Sequence, residues 1–80
     1  MTKGETVEAA ARGEGCLGRA ADDEPVFVLR AHDRAAPGAV RDWAERARRM
    51  GGSEAKVASA MYVAVEMESW QKEHGFKEPD

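Results

Sequence analysis

The sequence predicts a small, mainly helical α+β domain with a short N-terminal helix, one or two short strands and a C-terminal helical hairpin. Three observations carry that expectation. Residues 37–50 and 54–73 repeat apolar side chains at helical spacing. Gly51 and Gly52 interrupt them with a helix stop. Residues 26–30, VFVLR, combine β-branched and aromatic side chains between Pro25 and the polar His32, Asp33 and Arg34.

Taken in order, residues 5–12 (ETVEAAAR) favour helix, starting near Thr2 or Gly4 and ended by Gly13 and Gly15. Asp22, Asp23, Glu24 and Pro25 read as an exposed acidic turn, since proline pushes its predecessor toward extended backbone. The 26–30 strand needs a partner, either residues 15–19 or the same strand of a second chain; failing both, it is an apolar strap across helices. Pro37 suits a first helical turn, and Val40, Trp43, Ala44, Ala47 and Met50 make the buried stripe of that helix. Asp42/Arg46 and Glu45/Arg49 are spaced as i,i+4 ion pairs. Ser53 caps the last helix, which His74 and Gly75 end. Val57, Met61, Ala64 and Val65 form one of its apolar stripes, and Ala60, Val63, Met67 and Trp70 another. Ser59, Glu66 and Glu73 mark its solvated face.

At 80 residues there is room for one small domain, 1–80, with residues 1–21 its most loosely ordered part. Of the apolar 42%, fifteen residues are Ala and Ile is absent, so the core is thin. A single Cys provides no internal disulfide. A thin core, a lone strand and a long final helix together predict a homodimer. Trp43 and Trp70 are expected to be buried between the last two helices. No run approaches about 18 apolar residues, and MTKGETVEAA lacks a signal-peptide core. A soluble protein of a reducing, cytosol-like compartment is expected.

The net charge of −3 is unevenly laid out: residues 1–29 carry −3, residues 30–52 carry +3 and residues 53–80 carry −3. Asp22, Asp23, Glu24, Glu66, Glu68 and Glu73 are the candidate acidic surface, able to occupy a basic channel of another protein. Arg41, Arg46, Arg48 and Arg49 are the alternative, a nucleic-acid-binding helix. Asp42 and Glu45 interrupt that basic run, and the pI of about 5.4 counts against it. Gly13, Gly15 and Gly18 spell G-x-G-x-x-G, but a helix rather than a strand precedes them, so no dinucleotide site is expected. His32 and His74 lack a nucleophile partner, and Cys16, beside Glu14, reads as a small, partly buried hydrophobe. Neither a catalytic constellation nor a metal or cofactor site is predicted.

Residues 24–47, EPVFVLRAHDRAAPGAVRDWAERA, resemble a group of small phage and prophage proteins. These share an E-P-V-F-V-L-R-A entry (Glu24 to Ala31 here), a D-x-x-A-P segment (Asp33, Ala36 and Pro37) and a W-A helix (Trp43 and Ala44). The likeness extends to W-Q (Trp70 and Gln71) and to a K-x-P-D tail (Lys77, Pro79 and Asp80), covering about the last two-thirds of the chain. Within that group the sequence is most similar to type I-C anti-CRISPR proteins. The resemblance implies a non-enzymatic inhibitor, acting in the host bacterial cytoplasm, that binds a Cascade effector complex and blocks its access to target DNA through an acidic surface. It also implies fold-bearing roles for Pro25, Phe27, Leu29, Pro37, Trp43 and Trp70. The remaining alternatives are a small nucleic-acid-binding regulator and a structural phage homodimer.

Overall fold

The computed structural model describes residues 2–78, apart from the side chains of Ala10 and Cys16. The expectations for the Cys16 thiol and for Pro79 and Asp80 therefore lie outside the described residues. Four helices follow one another: α1 (Lys3–Ala11), α2 (Gly15–Arg19), α3 (Ala36–Arg49) and α4 (Glu54–His74). α1 packs on α2 and α3 on α4, and among the described residues no helix of one pair packs on a helix of the other.

Local chemistry accounts for the helix ends. The Glu5 N–H donates to Thr2 Oγ1 at 3.3 Å, and the Thr2 hydroxyl donates to Glu5 Oε1 at 3.2 Å. This reciprocal pair resembles a capping box and starts α1. Gly13 turns the chain back, and Gly18 then lies so close to it that an added Cβ would sit 2.7 Å from the Gly13 carbonyl carbon. In α3, Pro37 occupies the first turn, where its missing N–H costs no bond. Gly51, at φ +81°, ends α3 in a Schellman turn: its N–H donates to Arg48 O at 3.1 Å and the Gly52 N–H to Ala47 O at 2.8 Å. Ser53 then accepts from the Lys56 N–H and opens α4. The helical hairpin is thus present, with α3 and α4 within a residue of their expected bounds.

The α+β expectation is wrong. No strand forms among the described residues, and the one β-type contact is an isolated parallel bridge between Asp33 and Lys77. The reason is a missing partner. Residues 15–19, the only candidate in the chain, coil into α2 against α1. Residues 26–30 consequently run without regular structure, and they do not form a buried strap either: Phe27 is 86% exposed, with Val26 and Val28 also exposed.

The expected tryptophan core is absent as well. Among the described residues only Ala36, Pro37, Ala44 and Ala64 are buried. The buried side chains are all small, and the larger ones are left partly or wholly exposed. Trp43 is 53% exposed and Trp70 39% exposed, and Met50 is more exposed than either. The accessible surface is 6507 Å², against about 4,700 Å² for an ordinary folded monomer of this mass. No helix among the described residues is long and apolar enough to cross a membrane.

Candidate functional site

A set of tertiary hydrogen bonds joins residues 31–34 to the C-terminal end of α4 and the residues after it. The Gln71 side-chain amide donates to Ala31 O at 2.9 Å and to Asp33 O at 3.0 Å from a partly buried position. Beyond α4, the Lys77 N–H donates to His32 O at 2.8 Å and the Arg34 N–H to Lys77 O at 3.0 Å. Arg34 Nη1 donates to Glu78 Oε1 at 2.5 Å, and the Arg34 guanidinium lies over the Phe76 ring, 5.5 Å from its centroid. Together these contacts clasp the chain entering α3 to the chain leaving α4.

The clasp fixes Trp70. The His74 ring stacks on the indole (centroids 4.4 Å apart, planes inclined 19°), and His32 meets it edge-on at 6.1 Å. His74 Nδ1 also lies 3.1 Å from Trp70 O. An aromatic side chain held on two sides loses little further freedom when a partner covers it.

Trp70 forms one wall of a shallow, open depression along α4, lined also by Tyr62, Val65, Glu66, Ser69 and Glu73. Residues at i, i+3, i+4, i+7, i+8 and i+11 share one helical face. It is the face away from Ala64 and so away from α3. α4 therefore carries apolar side chains on two faces, but α3 covers only one; Tyr62, on the other, is 65% exposed. Glu66 and Glu73 are separated by seven residues, about 10 Å along the axis, with the aromatic and aliphatic surface between and beside them.

The six candidate acids thus occupy three places. Glu66 and Glu73 lie on this outward face. Asp22, Asp23 and Glu24 are exposed in the segment after α2, where Glu24 Oε1 accepts from the Ala21 N–H at 3.2 Å. Glu68 belongs to neither group: it pairs with Arg41 and ties α4 to α3. The Arg41 hydrogen bond, helped by the nearby charges of Arg41 and Lys72, holds the Glu68 carboxyl below the ordinary carboxylate range.

The arginine alternative is broken up by pairing. Arg41 is held by Glu68, and Arg48 Nη2 donates to both Glu45 oxygens at 2.7 and 2.6 Å. Glu45 therefore pairs at i+3 with Arg48 rather than at i+4 with Arg49, and among the described residues Asp42 and Arg46 form no ion pair. Arg46 and Arg49 remain exposed in the last turn of α3, where positive charge suits the helix end. The G-x-G-x-x-G segment spans the turn after α1 and most of α2, with a helix and no strand before it among the described residues. Among the described residues no group of three or more His, Cys, Asp or Glu side chains is placed to hold a metal ion.

The sequence marks Gln71 only within the W-Q likeness and leaves Tyr62 unremarked, and it does not bring His32 and His74 onto Trp70. Tyr62 was recoverable, since it lies between Ser59 and Glu66 on the face already read as solvated. The i,i+4 spacing of Trp70 and His74 allowed their stack, whereas nothing local signalled His32 or the two carbonyls that Gln71 reaches. No family model, no curated protein and no solved structure matches the chain.

Proposed function

We propose that the chain is a non-enzymatic inhibitor from a phage or mobile element that works by binding protein, and that it docks the outward face of α4 on a basic surface of its target. One observation carries this reading. Glu66 and Glu73 flank an exposed apolar patch of Tyr62, Val65 and a doubly braced Trp70. Braced aromatic anchors beside charges suit a protein partner: the rings supply buried area and the carboxylates steer encounter and register. The resemblance to type I-C anti-CRISPR proteins supplies the target class, a Cascade effector in the bacterial cytoplasm whose DNA-binding groove is basic. On this reading the chain needs no cofactor and does not itself bind nucleic acid. The pairing of Arg41 and Arg48 with acids supports the α4 face over the arginine helix.

Target-DNA binding by purified type I-C Cascade, followed by electrophoretic mobility shift, tests the proposal. The wild-type chain is expected to suppress the Cascade–DNA complex and to leave plain duplex DNA unshifted. Glu66→Lys with Glu73→Lys is expected to weaken inhibition at least tenfold, while Asp22→Lys with Asp23→Lys retains it. Affinity should fall as salt rises, since exposed charges are screened over about 8–10 Å at physiological ionic strength. Full inhibition by the α4 double variant contradicts the proposal.

A further inference from the structure

Residues 25–29 are the least satisfied stretch of backbone in the described chain. None of their N–H or C=O groups makes a hydrogen bond among the described residues, and Val26, Phe27 and Val28 are exposed. An apolar, β-prone stretch with unpaired backbone groups is a template for another strand. Its flanks say which strand fits. Asp22, Asp23 and Glu24 precede it, while Arg30 and Arg34 follow it.

We infer that two copies of the chain pair antiparallel through residues 24–30, about a two-fold axis at Phe27. Antiparallel pairing sets the acidic end of each copy against the basic end of the other, whereas parallel pairing sets like against like. With Phe27 opposite itself, Val26 faces Val28, Pro25 faces Leu29 and Glu24 faces Arg30. Hydrogen-bonded and non-hydrogen-bonded positions alternate along an antiparallel ladder. If Val26 and Val28 exchange the bonds, Pro25 falls at a non-hydrogen-bonded position, where its missing N–H costs nothing. The Glu24 N–H is already held by Ala21 O and the Arg30 carbonyl by the Asp33 N–H, so the ladder consists of the bonds of two Val26–Val28 pairs with the Arg30 N–H donating to Glu24 O at each end. Glu24 and Arg30 also meet through their side chains. Arg30 is exposed and forms no ion pair among the described residues. Within one chain the segment has no strand to join; the second copy supplies it. The surface also asks for a cover: 6507 Å² exceeds the ordinary monomer value by about 1,800 Å², and a standard interface takes about 800 Å² from each partner.

Sedimentation velocity of the full chain at several hundred micromolar tests the pairing. The wild type is expected at twice the 8.7 kDa chain mass. Glu24→Arg alone and Arg30→Glu alone each set like charges face to face, and each is expected at the single-chain mass with an unchanged far-UV circular dichroism spectrum. An equimolar mixture of these two variants restores both ion pairs across a heterodimer and should return to the double mass, as should the chain carrying both substitutions. The double variant also loses the Glu24 contact to Ala21, so its recovery separates pairing from any local effect on the turn. A wild type at the single-chain mass overturns the inference and leaves the segment to a different protein's strand. A dimer that neither reversal dissociates overturns it too, by placing the interface elsewhere. Failure of the mixture to re-form a dimer overturns the register.

Discussion

Replacing Gln71 by alanine removes both hydrogen bonds that join the α4 helix to residues 31 and 33, at 2.9 and 3.0 Å. A typical intramolecular hydrogen bond contributes about 1 kcal/mol net, and a buried acceptor left without any partner costs more. The two carbonyls are not equivalent. Asp33 O also accepts from the Ala36 N–H, so it keeps a partner, whereas Ala31 O keeps none among the described residues. The loss is therefore about 2 kcal/mol, offset by a few tenths because alanine favours helix more than glutamine does. With about 2.1 cal/mol/K of unfolding entropy per residue, an 80-residue chain loses roughly 10 °C of melting temperature for a net loss near 1.7 kcal/mol. Thermal and urea unfolding followed at 222 nm measure it. Gln71→Glu sharpens the test. A carboxylate donates no hydrogen bond and faces two carbonyl oxygens, so at pH 7 this variant should be less stable than Gln71→Ala. Its position favours the protonated acid, which raises the carboxyl pKa on folding, so stability should recover as the pH falls through that raised value and be fully regained by the ordinary glutamate value of about 4.3. A Gln71→Ala chain within 0.5 kcal/mol of wild type, or a Gln71→Glu chain no worse than it at pH 7, refutes the clasp.

Ala64 is fully buried where α4 meets α3, so Ala64→Leu should cost about 1–3 kcal/mol by overpacking, whereas Val65→Leu on the exposed face should stay within about 0.5 kcal/mol; urea midpoints compare the two. Glu68 has its carboxyl pKa lowered by Arg41 in the folded chain, so its contribution is present above the ordinary glutamate value of about 4.3 and is lost as the pH falls below it toward the folded value. Glu68→Gln should therefore lower stability at pH 7 and flatten the acid limb of the stability profile, and an unchanged acid limb would show that the pair contributes nothing.

The hairpin was legible because its signals are local. Pro37, the Gly51–Gly52 stop and the Ser53 cap each act within a turn or two, and the apolar spacing of 37–50 and 54–73 sets the two faces. The strand failed for the opposite reason. VFVLR has the propensity, but a strand exists only with a partner, and the three glycines between 13 and 18 fold the sole internal candidate onto α1 instead. The tryptophans failed for a geometric reason: periodicity marks which side of a helix is apolar, not how close its neighbour comes. The fully buried side chains are the alanines at 36, 44 and 64, and both indoles lie outside them, 53% and 39% exposed. The same limit applies to the acids. Glu73 is exposed as its seven-residue repeat suggests, but Glu66 on the same repeat is half-buried, and the loss of Glu68 to Arg41, 27 residues away in sequence, depends on how two helices are set against each other.

Photocrosslinking tests the central claim, that the outward face of α4 is the docking surface, most directly. A photoreactive benzoylphenylalanine replaces Tyr62 on the α4 face in one sample and Trp43 on α3 in another; both positions are exposed aromatics, so each tolerates the probe. Irradiation with purified type I-C Cascade should yield a covalent adduct from position 62 that excess unlabelled chain competes away, and none from position 43. A competed adduct from position 43 with none from position 62 would contradict the claim and move the interface to α3.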